Sequence, residues 1–264
     1  HNLMSAIGMF DSGVGGLSVW RVVRRILPAH DLVYFADQKY CPYGPRPRYE
    51  ILARARHISG FLIEQGCHTI VVACNTASAA ALYELRADFP DVTFVGMEPA
   101  VKPAVRLTKT GIVGVLATEG TLDGELYSHT RREFAGGVQV VANTAPGLVE
   151  FIERGETDSK ATRAIVRQAV APIVAAGADV LALGCTHYPF VAPIIRECVG
   201  DSMTLVDPSE AVARQTERLV RQAGHLQPEG GEGQRIFFTS GEVADFERVL
   251  RKLVGVEARA RQRN

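Results

Sequence analysis

The chain of 264 residues carries 29 basic and 29 acidic side chains, so its formal net charge is zero. That balance excludes the electrostatic footprint of a nucleic-acid binder or of a protein held on an anionic membrane surface. Five cysteines are too few, and odd in number, for a disulfide scaffold, and no apolar run approaches the roughly 18 residues of a membrane span. No signal peptide is read at its start, so reduced thiols and a cytoplasmic location are expected. His1-Asn2-Leu3, ahead of Met4, read as a cloning remnant and are set aside. The length suits one large domain or two ordinary ones, each with a full core.

Ala6–Phe10 is an apolar run that breaks at Asp11-Ser12-Gly13-Val14-Gly15-Gly16, and a helical pattern follows from Leu17 to Leu27. A dinucleotide loop does not fit, because Ser18 stands where the third glycine of GxGxxG should be. The turn either displays Asp11 and Ser12 at a strand's carboxyl end or uses Asp11 as a helix cap. Leu32–Ala36 predicts a second strand. A proline-rich loop from Asp37 to Pro47 follows, with Cys41, Tyr43 and Gly44, and then a helix over Arg48–Gln65. Thr69–Ala73 predicts the third strand and delivers Cys74, with Asn75 or Thr76 capping a helix over Ala77–Asp88; Thr93–Gly96 is the fourth.

The cycle then restarts. Strands are predicted at Gly111–Leu116, Val138–Ala142, Val180–Gly184 and Thr204–Val206, with helices between, and the third of these delivers Cys185. The spacing makes this an internal repeat. Cys74 precedes Glu98-Pro99 by 24 positions and Cys185 precedes Asp207-Pro208 by 22; Asp11 lies 63 before Cys74 and Ala117-Thr118 lies 68 before Cys185. The expected fold is therefore two similar three-layer α/β domains with mostly parallel sheets, related by a pseudo-twofold axis, with the active site in the cleft between them. Residues 4–97 with 208–264 form the first domain and 98–207 the second. The strand Arg235–Thr239 and the helix Val243–Leu253 rejoin the first, and the basic tail (Arg259, Arg261, Arg263) reads as a solvated terminus.

A lone cysteine at the end of a buried strand is ordinarily inert packing, which is the reading given to Cys41, Cys67 and Cys198. Two at equivalent points of a repeat point to a shared task. Both are expected just before helix N-termini, where a thiolate is favoured. A thiolate and a thiol on opposite walls of a cleft suit removal of a proton from one face of a carbon and its return to the other. Asp11 and His187 could tune the two thiols separately, and Ser12, Asn75, Thr76, Thr118 and Thr186 could hold a zwitterion without added charge. A Cys-His nucleophile pair is the rival chemistry, and it leaves the duplicated cysteine unexplained. Metal binding by Cys185 and His187 is weaker still, since no third or fourth ligand is visible in the sequence. A two-lobed small-molecule binding protein would share the architecture and have no use for paired thiols.

The four stretches Asp11-Ser12-Gly13-Val14-Gly15-Gly16-Leu17-Ser18, Cys41-Pro42-Tyr43-Gly44, Ala73-Cys74-Asn75-Thr76-Ala77-Ser78 and Gly184-Cys185-Thr186-His187-Tyr188-Pro189, in that order, resemble the glutamate racemases. The resemblance runs from about Gly8 to the last helix. It implies interconversion of L- and D-glutamate with neither a cofactor nor a metal, supplying D-glutamate for peptidoglycan, and it is compatible with a homodimer. Cys74 would act on D-glutamate with Asp11, and Cys185 on L-glutamate with His187. Substrate contacts carried by the matching motifs are Asp11, Ser12, Tyr43, Gly44, Asn75, Thr76, Thr186 and His187, with Thr118 added from the repeat. An aspartate or hydantoin racemase would keep both cysteines and change the residues around them.

Overall fold

In a computed structural model of the chain, residues 5–134, 136–228 and 230–264 are described; His1-Asn2-Leu3 and the expected domain start at Met4 lie outside them. The short continuous apolar runs fold as strands and the amphipathic stretches as helices. In chain order, β1 (Ala6–Asp11), α1 (Leu17–Ile26), β2 (Leu32–Ala36), α2 (Arg48–Glu64), β3 (Cys67–Val72), α3 (Asn75–Asp88) and β4 (Thr93–Gly96) form the first series. After α4 (Val101–Leu107) come β5 (Ile112–Ala117), α5 (Glu119–Leu122), α6 (Glu125–Phe134), β6 (Gln139–Asn143), α7 (Leu148–Glu153), α8 (Lys160–Ala175), β7 (Val180–Gly184), α9 (Ala192–Val199) and β8 (Thr204–Val206). The chain closes with α10 (Ser209–Gln222), β9 (Arg235–Thr239), α11 (Val243–Val254) and β10 (Ala260–Gln262).

The strands form two sheets, ordered β10-β9-β2-β1-β3-β4 and β6-β5-β7-β8, and among the described residues every pairing is parallel. The order β2-β1-β3-β4 recurs as β6-β5-β7-β8. The repeat read from cysteine spacing is thus the repeat of a four-stranded unit, and β9 and β10 extend only the first copy.

Parallel strands need apolar cover on both faces, and the alternation of side chains supplies it. Ile7, Met9, Leu32, Tyr34 and Val71 enter one core of the first sheet; Phe10, Val33, Phe35, Ile70 and Val72 enter the other. In the second sheet Leu181 and Leu183 face one core, and Val180 and Ala182 the opposite one. Each thiol continues this alternation one step past its strand. Cys74 follows Ile70 and Val72, and Cys185 follows Leu181 and Leu183. The strand pleat therefore aims both cysteines.

Two expectations change. The basic tail is not simply solvated: β10 adds a parallel edge strand to β9, and the guanidinium groups of Arg261 and Arg263 lie 6.0 Å and 5.1 Å over the rings of Phe238 and Phe61. A polar three-residue edge strand has no periodic apolar signature, so its pairing depends on the free side of β9. The second change concerns the cap of α3. Neither Asn75 nor Thr76 caps it; the Cys74 side chain does, accepting from the Ala77 backbone N–H at 3.4 Å.

Candidate active site

Four strand ends meet. Asp11 terminates β1, Cys74 lies two residues beyond β3, Thr118 follows β5 and Cys185 follows β7. They line one cavity of about 20 Å³ together with Ser12, Tyr43, Gly44, Asn75, Thr76, Thr186 and His187. All the residues picked out from the sequence for proton transfer or substrate contact are brought together there. That volume holds about one water. Beside it, sharing Pro42, Gly44, Thr118 and Val149, a cavity of about 240 Å³ forms a larger antechamber.

The glycines after β1 work by close approach. A Cβ on Gly13 would stand 2.0 Å from Glu153 Oε1, and one on Gly15 would stand 2.2 Å from His187 Nδ1. The second sheet's functional side chains thus press directly onto the backbone of the first unit's turn. The contact is made polar by the Val14 N–H, which donates to Glu153 Oε1 at 2.7 Å, and by the Ser18 hydroxyl, which donates to the Thr186 carbonyl at 2.7 Å. Asp11 does not cap α1. Its Oδ2 accepts from the Gly13 N–H at 3.0 Å, within the turn.

Around Cys185 the arrangement is a relay. His187 Nδ1 lies 3.7 Å from Cys185 Sγ, and His187 Nε2 lies 2.6 Å from Glu153 Oε1. Burial works against a charge on His187, but contacts with Cys185, Cys41 and Glu153 outweigh it and hold the imidazole well above its usual range. Burial also pushes Glu153 up; the His187 hydrogen bond and charge, the Val14 N–H and the Gln38 amide more than reverse that, so its carboxyl is low. Both shifts favour an imidazolium facing a carboxylate. Around Cys74 the balance is opposite. Burial drives this thiol well up and the Asp11 charge adds to it, against the Ala77 and Ser12 N–H groups. Asp11 is itself raised, by burial first, with the His187 charge opposing.

The lining holds no lysine or arginine among the described residues. Polar capacity for a ligand comes from neutral groups. Both amide atoms of buried Asn75, and Oδ1 of Asp11, have no hydrogen-bond partner among the described residues. The hydroxyls of Thr76 and Thr118 meet at 2.8 Å across the two units, and Thr118 meets Thr121 at 3.1 Å. Tyr43 turns its hydroxyl away, donating to Asp37, whose carboxylate also takes Arg54 through two bonds at 2.8 and 3.0 Å and the Ser240 hydroxyl at 2.8 Å. Tyr43 therefore lines the cavity with its hydroxyl already committed to Asp37.

Sequence reasoning missed Glu153, Asp37 and Thr121. Glu153 offered one signal, a second acidic residue on the otherwise apolar stretch Leu148–Glu153. Its partners His187 and Val14 lie 34 and 139 positions away, beyond the reach of local pattern.

The Asp/Glu/hydantoin racemase family model matches residues 13–216. The glutamate racemase of Herpetosiphon aurantiacus is 49% identical across 92% of this chain and 95% of its own. The chain belongs to the Asp/Glu/hydantoin racemase family. Among solved structures of the family, glutamate racemase isoform RacE1 of Bacillus anthracis superposes with a TM-score of 0.90 at 31% identity, covering 100% of this chain and 98% of that one. The Escherichia coli glutamate racemase, solved in complex with L-glutamate and the activator UDP-MurNAc-Ala, gives 0.85 at 31% identity, covering 98% and 97%. The aspartate racemase of Picrophilus torridus reaches 0.53 at 20% identity over 84% of this chain and 94% of its own, a likeness of fold alone. The resemblance read from the four motifs is to this family, and the two-sheet parallel α/β architecture is its architecture.

Proposed function

We propose that this protein racemises glutamate by a two-thiol proton transfer at Cα. The observation that carries the reading is the placement of Cys74 and Cys185 at corresponding strand ends around a single cavity. Each is paired with a different acid–base partner. His187 with Glu153 stands beside Cys185, and Asp11 acts on Cys74, whose thiol burial pushes up. In the direction from L-glutamate, Cys185 acts as the thiolate and Cys74 as the thiol. The Cys185 thiolate takes the Cα proton from one face, the electron pair remains at Cα, and the Cys74 thiol delivers its proton to the other face. One proton leaves carbon and one returns. Cys74 is then the thiolate and Cys185 the thiol, the form that accepts D-glutamate; Asp11 and His187 with Glu153 carry the protons that restore the first state. Inversion needs no more than this, so we expect no cofactor.

The substrate's two carboxylates and ammonium would meet Asn75, Thr76, Thr118, Thr186, Ser12 and the backbone around Tyr43-Gly44, with Asp11 toward the ammonium. In this reading residues 4–97 with 208–264 form one unit and 98–207 the other, which puts one thiol on each wall. Relatives named glutamate racemase at 45–49% identity support glutamate over aspartate. The D-glutamate would feed peptidoglycan synthesis in the cytoplasm; among the described residues no helix is long and apolar enough to cross a membrane.

The test is incubation of the purified protein, with no added cofactor, with each enantiomer of glutamate and aspartate in deuterated water. Interconversion of glutamate with deuterium entering at Cα is expected. Absence of exchange would identify a binding module, and aspartate turned over as fast as glutamate would reassign the substrate.

A further inference from the structure

The racemase reading leaves Cys41 unused, yet this thiol stands beside two groups that the reading does use. Cys41 Sγ, a Glu153 carboxylate oxygen and a His187 ring nitrogen lie within 4.8 Å of one another. They arrive from three separate segments. Cys41 follows the 3₁₀ turn Gln38–Tyr40, Glu153 ends α7, and His187 follows β7. A thiol, an imidazole and a carboxylate make up a donor set that borderline-soft divalent cations favour. The two residues absent from the sequence argument for metal binding are supplied here by folding: Cys185 is not part of the set, and Cys41 and Glu153 are.

A second observation gives two of the three donors their own approach, while His187 lines the cavity between the thiols. A cavity of about 300 Å³ reaches Cys41 and Glu153 and shares only Pro42 with the cavity between the two thiols. Its wall carries Glu150, Glu153, Glu242 and Asp245 against Arg154 and Arg248, an excess of negative charge that attracts cations. The carboxylate is held from behind. Val14 N–H and the Gln38 amide donate to Oε1 and Oε2 of Glu153 at 2.7 and 3.1 Å, the kind of outer support that orients a metal-ligating carboxylate.

We propose that Cys41, Glu153 and His187 bind a thiophilic divalent cation such as Zn²⁺, reached through this acidic cavity. Metal–ligand bonds of about 2.0–2.3 Å place tetrahedral ligand atoms roughly 3.3–3.8 Å apart, so only small side-chain shifts separate the present spacing from a bound one. The fourth position remains for water. On binding, the Cys41 thiol proton and the proton shared between Glu153 and His187 go to solvent. Thiolate and carboxylate then balance the ion's two charges. Before binding, burial and the Glu153 charge hold the Cys41 thiol up at about 12, and the cation removes the second of these causes. An ion on the ring nitrogen that faces Glu153 also ends that imidazole's proton traffic with Cys185. Reversible inhibition of racemisation is the consequence, and this part alone rests on the proposed function.

The experiment titrates chelator-treated full-length protein with Co²⁺ and with Zn²⁺. One Co²⁺ per chain, with a thiolate-to-cobalt charge-transfer band, is expected in the wild type and in both Cys74→Ser and Cys185→Ser. Cys41→Ser should lose the band while keeping its circular dichroism, and Glu153→Gln should weaken binding by about tenfold or more. Zn²⁺ should displace the Co²⁺ band and EDTA should abolish it. A band that survives Cys41→Ser, or that vanishes in Cys74→Ser or Cys185→Ser, overturns the assignment, as does the lack of a stoichiometric band in the wild type. One ion bound through Cys41 in a protein with no racemase activity would sink the proposed function and leave this site standing.

Discussion

The two thiols end strands of the same topological rank, yet their surroundings diverge within three residues. Cys74 runs straight into the 14-residue helix α3 and is itself the cap. Cys185 is followed by Thr186 and His187, the latter backed by Glu153, and then by the short 3₁₀ turn Tyr188–Val191. One half surrounds its thiol with helix N–H groups and a raised carboxyl; the other surrounds it with an imidazolium–carboxylate pair. The two units thus share a strand order and differ in acid–base chemistry.

The bluntest way to break this comparison is Cys74→Ser and Cys185→Ser. Each should lower racemisation by at least ~10³-fold, measured by circular dichroism of the substrate in both directions, because neither half substitutes for the other. Retention of activity in either variant would reduce the pair to a single-base site. Gly15→Ala should come next, with a loss on the order of 10²-fold. Its Cβ would fall 2.2 Å from His187 Nδ1 and displace the imidazole from Cys185. Activity unchanged in this variant would mean that His187 has freedom its packing denies.

A finer test separates the halves. L- and D-glutamate have equal free energies, so a variant must lower kcat/KM equally in both directions. The difference appears instead in the primary isotope effect of α-deuterated substrate. His187→Asn should raise the effect for L-glutamate and Asp11→Asn that for D-glutamate, since each makes one deprotonation slower. The reverse assignment would exchange the roles of the two thiols.

The smallest effect concerns pH and stability. His187 is raised above its ordinary 6.5, so its contribution to stability is full below about 6.5 and is lost as pH rises through the folded value. Glu153 is lowered from 4.5, so its contribution is present above 4.5 and is lost as pH falls through the folded value. The wild type should therefore exceed Glu153→Gln in Tm most clearly between these two ordinary values. The gap should narrow as alkaline pH removes the His187 proton, and a gap widening toward alkaline pH would show that the pair is not ionic.

Much of this was legible in the chain. Buried strands announce themselves as apolar runs, each cysteine sits at the break of such a run, and the spacing of four landmarks exposed a repeated α/β unit. What stayed hidden has a common physical character. Glu153 matters through a contact with Val14 across the two sheets. Asp37 matters because Tyr43, Arg54 and Ser240 converge on it from three places. β10 matters because an edge was free to be paired. Local pattern encodes an element's existence and its buried face; it does not encode which distant element that face will meet. Capping by Cys74 escaped for a different reason, since thiols are seldom weighed as caps against a neighbouring asparagine and threonine.

The strand order has a consequence for synthesis. β5 to β8 all lie between β4 and α10 in the chain, whereas β2 finds its outer neighbour only in β9. A ribosome therefore releases every strand of the Cys185 sheet while the Cys74 sheet still lacks its last two, with the flank of β2 uncovered. The wall bearing Cys185 can be finished early, and the wall bearing Cys74, first to be translated, is the last to be completed.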